Sequence, residues 1–315
     1  MKKLLVMGGS YFIGKHVVEL LKNTYAIFVL NRGTHPFNDS NITEIICDRN
    51  DPELMKSVLK PFKFDYVVDI SGFTKAQSEI LVNALRVDSI KKFVYISTSA
   101  VYNINAKSAP YNETDPLGGD SPFKNYAKRK IEAESYLSRV FNENILTIFR
   151  PPLVYGEDNY VLRERLIFYL LENNLPIYYP DSNNLIQFVY VKDLAHNVFS
   201  ALKGTVPGGI FNVGDNQGIR FKEWVKACAN VVGVEANIVP VNLTSVSLDS
   251  VDFFPFFDYD NVLEVHKIKT YDPTETTLDM GLSAAYNDYK LLEVSLKIPD
   301  KMKSSWNLLN KHFNQ

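Results

Sequence analysis

An apolar run, Leu4-Leu5-Val6-Met7, meets a glycine-bearing turn, Gly8-Gly9-Ser10-Tyr11-Phe12-Ile13-Gly14, and then the helical pattern Lys15-His16-Val17-Val18-Glu19-Leu20-Leu21. A short apolar run bounded by glycine reads as a buried strand, and the following spacing reads as an amphipathic helix. Strand, tight turn and helix in this order form the phosphate-holding corner of a doubly wound α/β domain. A helix N-terminus offers backbone N–H groups and partial positive charge, and glycine lets the main chain approach a pyrophosphate. Gly8, Ser10, Tyr11, Phe12 and Ile13 are therefore candidate cofactor contacts. Tyr11 stands where the usual fingerprint carries its middle glycine. Glycines in such a turn can also serve packing alone, so the site needs independent support.

The rest of the first half supplies the sheet. Apolar runs at 26–30, 43–47, 65–70, 92–97 and 145–149 alternate with helical patterns near 12–23, 51–60, 74–86 and 122–141, which argues for a parallel sheet covered by helices on both faces. Asp51-Pro52-Glu53 sets a cap, a proline at the first helical position and an early acid. Thr74 with Gln77 has the spacing of a capping box, and Ser121-Pro122 has the pattern of a cap and first helical residue. The expected fold is α/β, a Rossmann-type doubly wound parallel sheet with a smaller C-terminal α/β domain. Residues 1–175 form the dinucleotide-binding domain, 186–213 return to it, and 176–315 are mainly substrate-binding.

Composition narrows the function. In 315 residues, 46% are hydrophobic and the net charge is −2, so a large core is available and a broad nucleic-acid surface is disfavoured. Cys47 and Cys228, the two cysteines, lie in apolar patterns and read as core thiols, which suits a reducing compartment. The five histidines show no metal-ligand spacing, so no metal site is expected. The chain enters a strand at once and contains no apolar run of membrane-spanning length, which gives a cytoplasmic protein without a membrane partner as the expectation.

Three strand ends bear on a cofactor. The second strand ends in Asn31-Arg32-Gly33, where an acid would hold a ribose 2′-hydroxyl. Arginine suits a 2′-phosphate instead, so NADP is favoured and NAD remains open. Asp48, after the third strand, could accept from an adenine amino group, or serve only a turn. Ser71, Gly72 and Phe73, after the fourth, are small or flat enough for a cofactor to cross the sheet edge there.

The fifth strand ends in Ser97-Thr98-Ser99-Ala100-Val101-Tyr102, and Tyr126 and Lys130 follow one helical turn apart. An ammonium beside a phenol favours the phenolate, and the pair can then exchange a proton with a carbinol or carbonyl. Tyr286 and Lys290 repeat the spacing far from the sheet and read as incidental.

With Gly8 to Gly14, Asp48, Tyr95 to Tyr102, Tyr126 with Lys130, Arg150-Pro151-Pro152-Leu153-Val154-Tyr155-Gly156, Phe188 to Ala195 and Phe211-Asn212-Val213-Gly214 in this order, the sequence resembles the extended short-chain dehydrogenase/reductases of the NAD-dependent epimerase/dehydratase family, over residues 1 to about 230. Tyr11 and the Asn31-Arg32-Gly33 strand end resemble an atypical branch that includes chloroplast stem-loop-binding proteins. The resemblance implies Thr98 as the substrate-orienting hydroxyl, Tyr126 as acid/base, Lys130 as its partner and a cofactor contact, and Pro151 beside the nicotinamide. It implies a nucleoside-diphosphate sugar as substrate and a homodimer through helices 74–86 and 122–141. Relatives that eliminate water carry glutamate where this chain has Ala100, and 3,5-epimerase/reductases carry cysteine. A 4-epimerase or a carbonyl reductase fits better. The alternative is a non-catalytic or RNA-associated module on the same fold.

Three further features stand apart from these motifs. The stretch 103–125 is long for a connection and could border the site or be a solvated excursion. The aromatic cluster 253–259 reads as buried packing. Arg150, Arg163 and Arg165 read as structural or surface groups rather than diphosphate ligands.

Overall fold

The structure is a computed structural model and describes residues 1–37, 39–119, 122–123, 125–291 and 296–313. In chain order the strands are β1 (Lys3–Met7), β2 (Ala26–Asn31), β3 (Ile42–Ile46), β4 (Tyr66–Asp69), β5 (Lys92–Ile96), β6 (Leu146–Arg150), β7 (Leu153–Tyr155), β8 (Ile177–Pro180), β9 (Leu185–Ile186), β10 (Phe188–Tyr190), β11 (Gly209–Asn212), β12 (Ile219–Arg220) and β13 (Ile238–Val241). The helices are α1 (Ile13–Leu21), α2 (Pro52–Leu59), α3 (Lys75–Ala84), α4 (Asn125–Val140), α5 (Glu164–Glu172), α6 (Val191–Lys203), α7 (Phe221–Val232), α8 (His266–Tyr271), α9 (Leu278–Leu291) and α10 (Asp300–Phe313). The chain divides into two compact units: 1–152 with 191–216 and 263–275, and 153–190 with 217–262 and 276–315. The first break falls at 152 rather than 175, the returning segment is 191–216 rather than 186–213, and a third segment, 263–275, joins the first unit.

The first unit is built on a seven-stranded sheet in the order β11-β6-β5-β4-β1-β2-β3, parallel throughout. The order reverses between β1 and β4, and in doubly wound sheets ligands bind outside the carboxyl ends at such a switch. Successive residues of β1 point to opposite faces. Leu5 and Met7 join a core with Phe28, Val67, Phe93 and Tyr95, closed by Met55 and Leu59 of α2, Leu81 of α3 and Leu137 of α4. Helices α1 and α6 pack on each other. A strand buried on both faces reads as a continuous apolar run, which is why β1 was legible.

Local signals set most boundaries. The Leu54 N–H donates to Asp51 Oδ1 at 2.9 Å, capping α2 above Pro52. The Gln77 N–H donates to Thr74 Oγ1 at 3.2 Å, while the Gln77 side chain accepts from the Phe73 N–H at 2.8 Å. The helix expected from Pro122 begins at Asn125, and Pro122 lies in a turn; Ser121, its expected cap, is outside the described residues. The stretch 103–119 folds back on the unit: the Asn103 N–H donates to Pro116 O, the Gly118 N–H donates to Val101 O, and Tyr111 is buried with its ring stacked on Tyr102 at 5.2 Å. Tyr111 is its buried anchor, while Asn105 to Ser108 are exposed.

The second unit holds three two-stranded pairings, β7 with β10, β8 with β13 and β9 with β12, beside α5, α7 and α9. Its core is aromatic: Phe256 packs on Trp224 at 4.9 Å and on Phe188 at 5.8 Å, and Phe253 and Phe254 are buried. The 253–259 cluster is thus packing. Tyr286 and Lys290 both donate to Glu172 on the surface, as fits an incidental pair. Cys47 and Cys228 are free and buried.

Candidate active site

The glycine turn closes tightly because its backbone leaves no room for side chains. Gly8 is left-handed at φ +86°, and a Cβ there would lie 2.7 Å from the Ser71 Cβ. A Cβ on Gly14 would lie 2.0 Å from the Gly8 carbonyl oxygen. The turns after β1 and β4 therefore touch at the switch point. Helix α1 starts without a side-chain cap on Phe12 and without an acidic residue in its first turn. That end carries no carboxylate of its own, which suits an anionic group such as a pyrophosphate.

Two of the sequence-predicted contacts are hydrogen-bonded to their neighbours. The Asn31 amide donates to Glu44 Oε1 at 3.2 Å and accepts from the Gly33 N–H at 2.7 Å, so both its ends are engaged in shaping the turn. Asp48 takes the Asn50 N–H at 2.9 Å and the Asn50 side-chain amide at 2.8 Å on one oxygen. These bonds, with Arg32 and Arg49 nearby, hold its carboxyl below the usual range. Arg32 is exposed.

Lys130 is the centre of the arrangement. Only 3% exposed, it donates from Nζ to the carbonyls of Gly72 and Ile96, each at 2.7 Å. Its ammonium lies over the rings of Tyr95 at 4.6 Å and Phe73 at 5.4 Å. Burial pushes its pKa down to about 8, against the pull of Asp69 and Glu134. Tyr126, half-buried in the first turn of α4, sets its ring 5.8 Å from Phe73. Phe73 thus meets both members of the pair. Thr98 stands two residues beyond Ile96, where its Oγ1 accepts the Ala100 N–H at 3.2 Å. Pro151 is buried, and its carbonyl accepts the Ser99 N–H at 2.8 Å.

Sequence reasoning missed the buried charges behind these groups. Arg49 clamps Asp69 with two bonds, Nη1 to Oδ1 at 2.8 Å and Nη2 to Oδ2 at 2.9 Å, and Nη1 also donates to Ser71 Oγ at 2.7 Å. Asp69 is fully buried, and the Arg49 Nε has no partner. The pair ties the end of β3 to the loop that carries Gly72. Arg150, 1% exposed, forks onto Glu134 at 3.1 and 2.6 Å and donates to the Tyr102 hydroxyl at 3.1 Å; Tyr102 in turn donates to Asn212 at 2.6 Å. Ser97 also hydrogen-bonds Glu134. Arg150 is therefore a structural group. Arg163 donates to Val154 O at 2.7 Å and Arg165 pairs with Asp288 at 3.0 Å, each within the second unit. A buried aspartate at a strand end followed by small residues was visible in sequence; its partner, 20 positions away, was not.

A doubly wound parallel sheet with a glycine turn at its switch point and a buried lysine behind the neighbouring strand ends defines a Rossmann-type domain of the extended short-chain dehydrogenase/reductase kind. The chain belongs to the NAD-dependent epimerase/dehydratase family, whose model matches residues 4–214. It is 31% identical over 307 residues to the chloroplast stem-loop binding protein of 41 kDa b of Arabidopsis thaliana, covering 91% of this chain and 79% of that protein. It is 26% identical to the UDP-glucose 4-epimerase of Bacillus subtilis, covering 74% and 83% respectively. Among solved structures it resembles the dTDP-glucose 4,6-dehydratase of Bacillus anthracis in complex with NAD, with a TM-score of 0.75, 20% identity, and 93% of this chain and 98% of that chain covered.

Proposed function

We propose that this protein is an NAD(P)-dependent enzyme acting on a carbinol or carbonyl of a nucleoside-diphosphate sugar, as a 4-epimerase or a carbonyl reductase. The observation that carries the reading is Lys130: a buried ammonium fixed by one carbonyl at the end of β5 and one in the loop after β4, one helical turn from Tyr126. The family membership and the 4-epimerase relative support it.

A bound nicotinamide dinucleotide supplies a reversible hydride acceptor and donor. Gly8, Ser10, Tyr11, Phe12 and Ile13 hold its pyrophosphate and Arg32 a 2′-phosphate, which makes NADP the preferred form. The second Asp48 oxygen takes the adenine amino group, and Ser71, Gly72, Phe73 and Pro151 line the nicotinamide side. Asn31 acts as the turn former beneath Arg32. Thr98 orients the substrate oxygen, Tyr126 takes or returns its proton, and the Lys130 charge favours the phenolate. Ala100 is buried and offers no carboxylate or thiol, which favours 4-epimerisation or reduction over elimination. Substrate recognition is assigned to the second unit.

Tyr126→Phe tests the assignment. Turnover on a panel of UDP- and dTDP-sugars and simple carbonyls should fall about 10²–10⁴-fold, with cofactor affinity nearly unchanged. Unchanged turnover would overturn the role of Tyr126.

Helices α3 and α4 pack on each other, with Ile80 and Tyr136 partly buried against the unit's own core. Ile131 is half-buried on α4. We assign them to a homodimer interface; a monomeric mass by light scattering would remove it. Two buried free thiols suit a reducing compartment such as the cytoplasm. Among the described residues no helix is long and apolar enough to cross a membrane.

A second reading, RNA association, is favoured by one observation, the name of the 31% identical stem-loop-binding relative. The net charge of −2 opposes it. RNA retention that falls steeply with salt would support it.

A further inference from the structure

We propose that His35, braced by Tyr11, is a second ligand beside Arg32 for the adenosine 2′-phosphate of a dinucleotide, and so sets the preference for the phosphorylated cofactor. The inference rests on the cofactor reading above and names His35, which that reading leaves unassigned.

The turn after β2 is held from within. Asn31 engages both ends of its amide, on Glu44 and on the Gly33 N–H, and Gly33 adopts φ +77°. That fixes the turn while leaving Arg32, Thr34 and His35 exposed. No carboxylate follows β2 directly, so the residues after it do not form the acidic partner that a ribose 2′-hydroxyl would use.

Across from this segment stands the glycine turn after β1. Tyr11 occupies the position of the missing middle glycine, 43% exposed, and its ring lies 4.9 Å from the His35 ring at 32°. The two residues are 24 positions apart, so the contact brings the segment after β2 against the turn after β1. An adenosine ribose entering between pyrophosphate turn and β2 end must pass this pair. A glycine at position 11 would leave the gap open; a tyrosine fills it with a flat surface that limits where the imidazole can go.

Arg32 alone is a weak anchor for a phosphate. It lies close enough to Asp48 to help depress that carboxyl, so part of its charge is already answered there. A phosphate with up to two negative charges and three acceptor oxygens takes further donors. His35 supplies an imidazole N–H on the same exposed segment, three residues on.

The test is calorimetric titration of the purified full chain with NADPH, NADH, 2′,5′-ADP and 5′-AMP, in wild type, His35→Ala, Tyr11→Gly and Tyr11→Phe. Both side chains are exposed, so folding is retained; thermal melts verify it. Wild type is expected to favour NADPH over NADH and 2′,5′-ADP over 5′-AMP. His35→Ala should cut that preference about tenfold, the size of one lost charge-assisted hydrogen bond, with NADH affinity unchanged. Tyr11→Gly should move it in the same direction, and Tyr11→Phe, which keeps the ring, should not. An undiminished preference in His35→Ala overturns the proposal. Wild type that binds NADH and NADPH equally overturns it too, together with the 2′-phosphate role of Arg32, while the nicotinamide dinucleotide site itself stands. Binding of none of the four ligands overturns both.

Discussion

The Lys130 ammonium lies 2.7 Å from the Gly72 carbonyl oxygen, so the lysine of α4 is latched to the loop after β4. A second bond of the same length latches it to Ile96 at the end of β5. Two of its three donors are thus used on the scaffold. The lysine is held in place before any ligand arrives, and its charge is kept in a nearly dry environment.

That environment gives a pH signature. Burial brings the Lys130 pKa down to about 8 from the ordinary lysine value. The unfolded chain therefore holds this proton more tightly than the folded one. The cost of burying the charge is full below about 8 and disappears as pH rises toward the unfolded value, about 10.4. Wild type should gain stability relative to Lys130→Met as pH rises across that window. NADPH affinity should begin to fall as pH rises through about 8 in wild type and stay flat in Lys130→Met. Urea titrations and fluorescence titrations at matched pH values measure both, and parallel pH profiles for the two proteins would contradict the assignment.

The Arg49–Asp69 pair separates structure from binding. Removing one member leaves a buried charge without its partner, at a cost of about 3–5 kcal/mol, whereas replacing both with apolar groups is far cheaper. Arg49→Met should lose stability on that scale in urea unfolding. Arg49→Met with Asp69→Leu should recover most of it. A double variant as unstable as the single one would show that the pair is not the source of the loss.

Glu164 in the second unit makes the opposite pH statement. Its carboxyl is fully buried; Oε1 accepts from the Gly156 N–H at 3.2 Å and from Asn159 at 2.9 Å, and Oε2 has no partner. Burial raises its pKa. A raised folded pKa means that the contribution to stability is full below the unfolded glutamate value, about 4.3, and is lost as pH rises through the folded one. Glu164→Gln keeps the acceptor oxygen and removes the titration. Its stability should therefore fall less than that of wild type as pH rises above the unfolded glutamate value. Identical slopes in chemical unfolding would contradict this.

What the sequence revealed was local. Apolar runs delimited β1 to β6 to within a residue or so, and the Asp51-Pro52 start and the Thr74–Gln77 cap stand where their spacing put them. What went unread was the turn chemistry of two candidates: Asn31 and Asp48 each accept a backbone N–H two residues on, at Gly33 and Asn50. Asn and Asp in turns commonly make such bonds, and that signal could have been used. The long-range charges could not. Arg49 with Asp69 and Arg150 with Glu134 are joined by the packing of strand ends and a helix, which no spacing along the chain encodes.

The proposed nicotinamide dinucleotide site is formed by the turn after β1, the loop after β4 and Lys130. The most direct measurement is to denature the purified protein, identify any nucleotide released, and titrate the emptied and refolded chain with NADPH and NADH by calorimetry. Saturable binding at one dinucleotide per chain, tighter for NADPH, is the expected result. No released nucleotide and no binding of either form would contradict it.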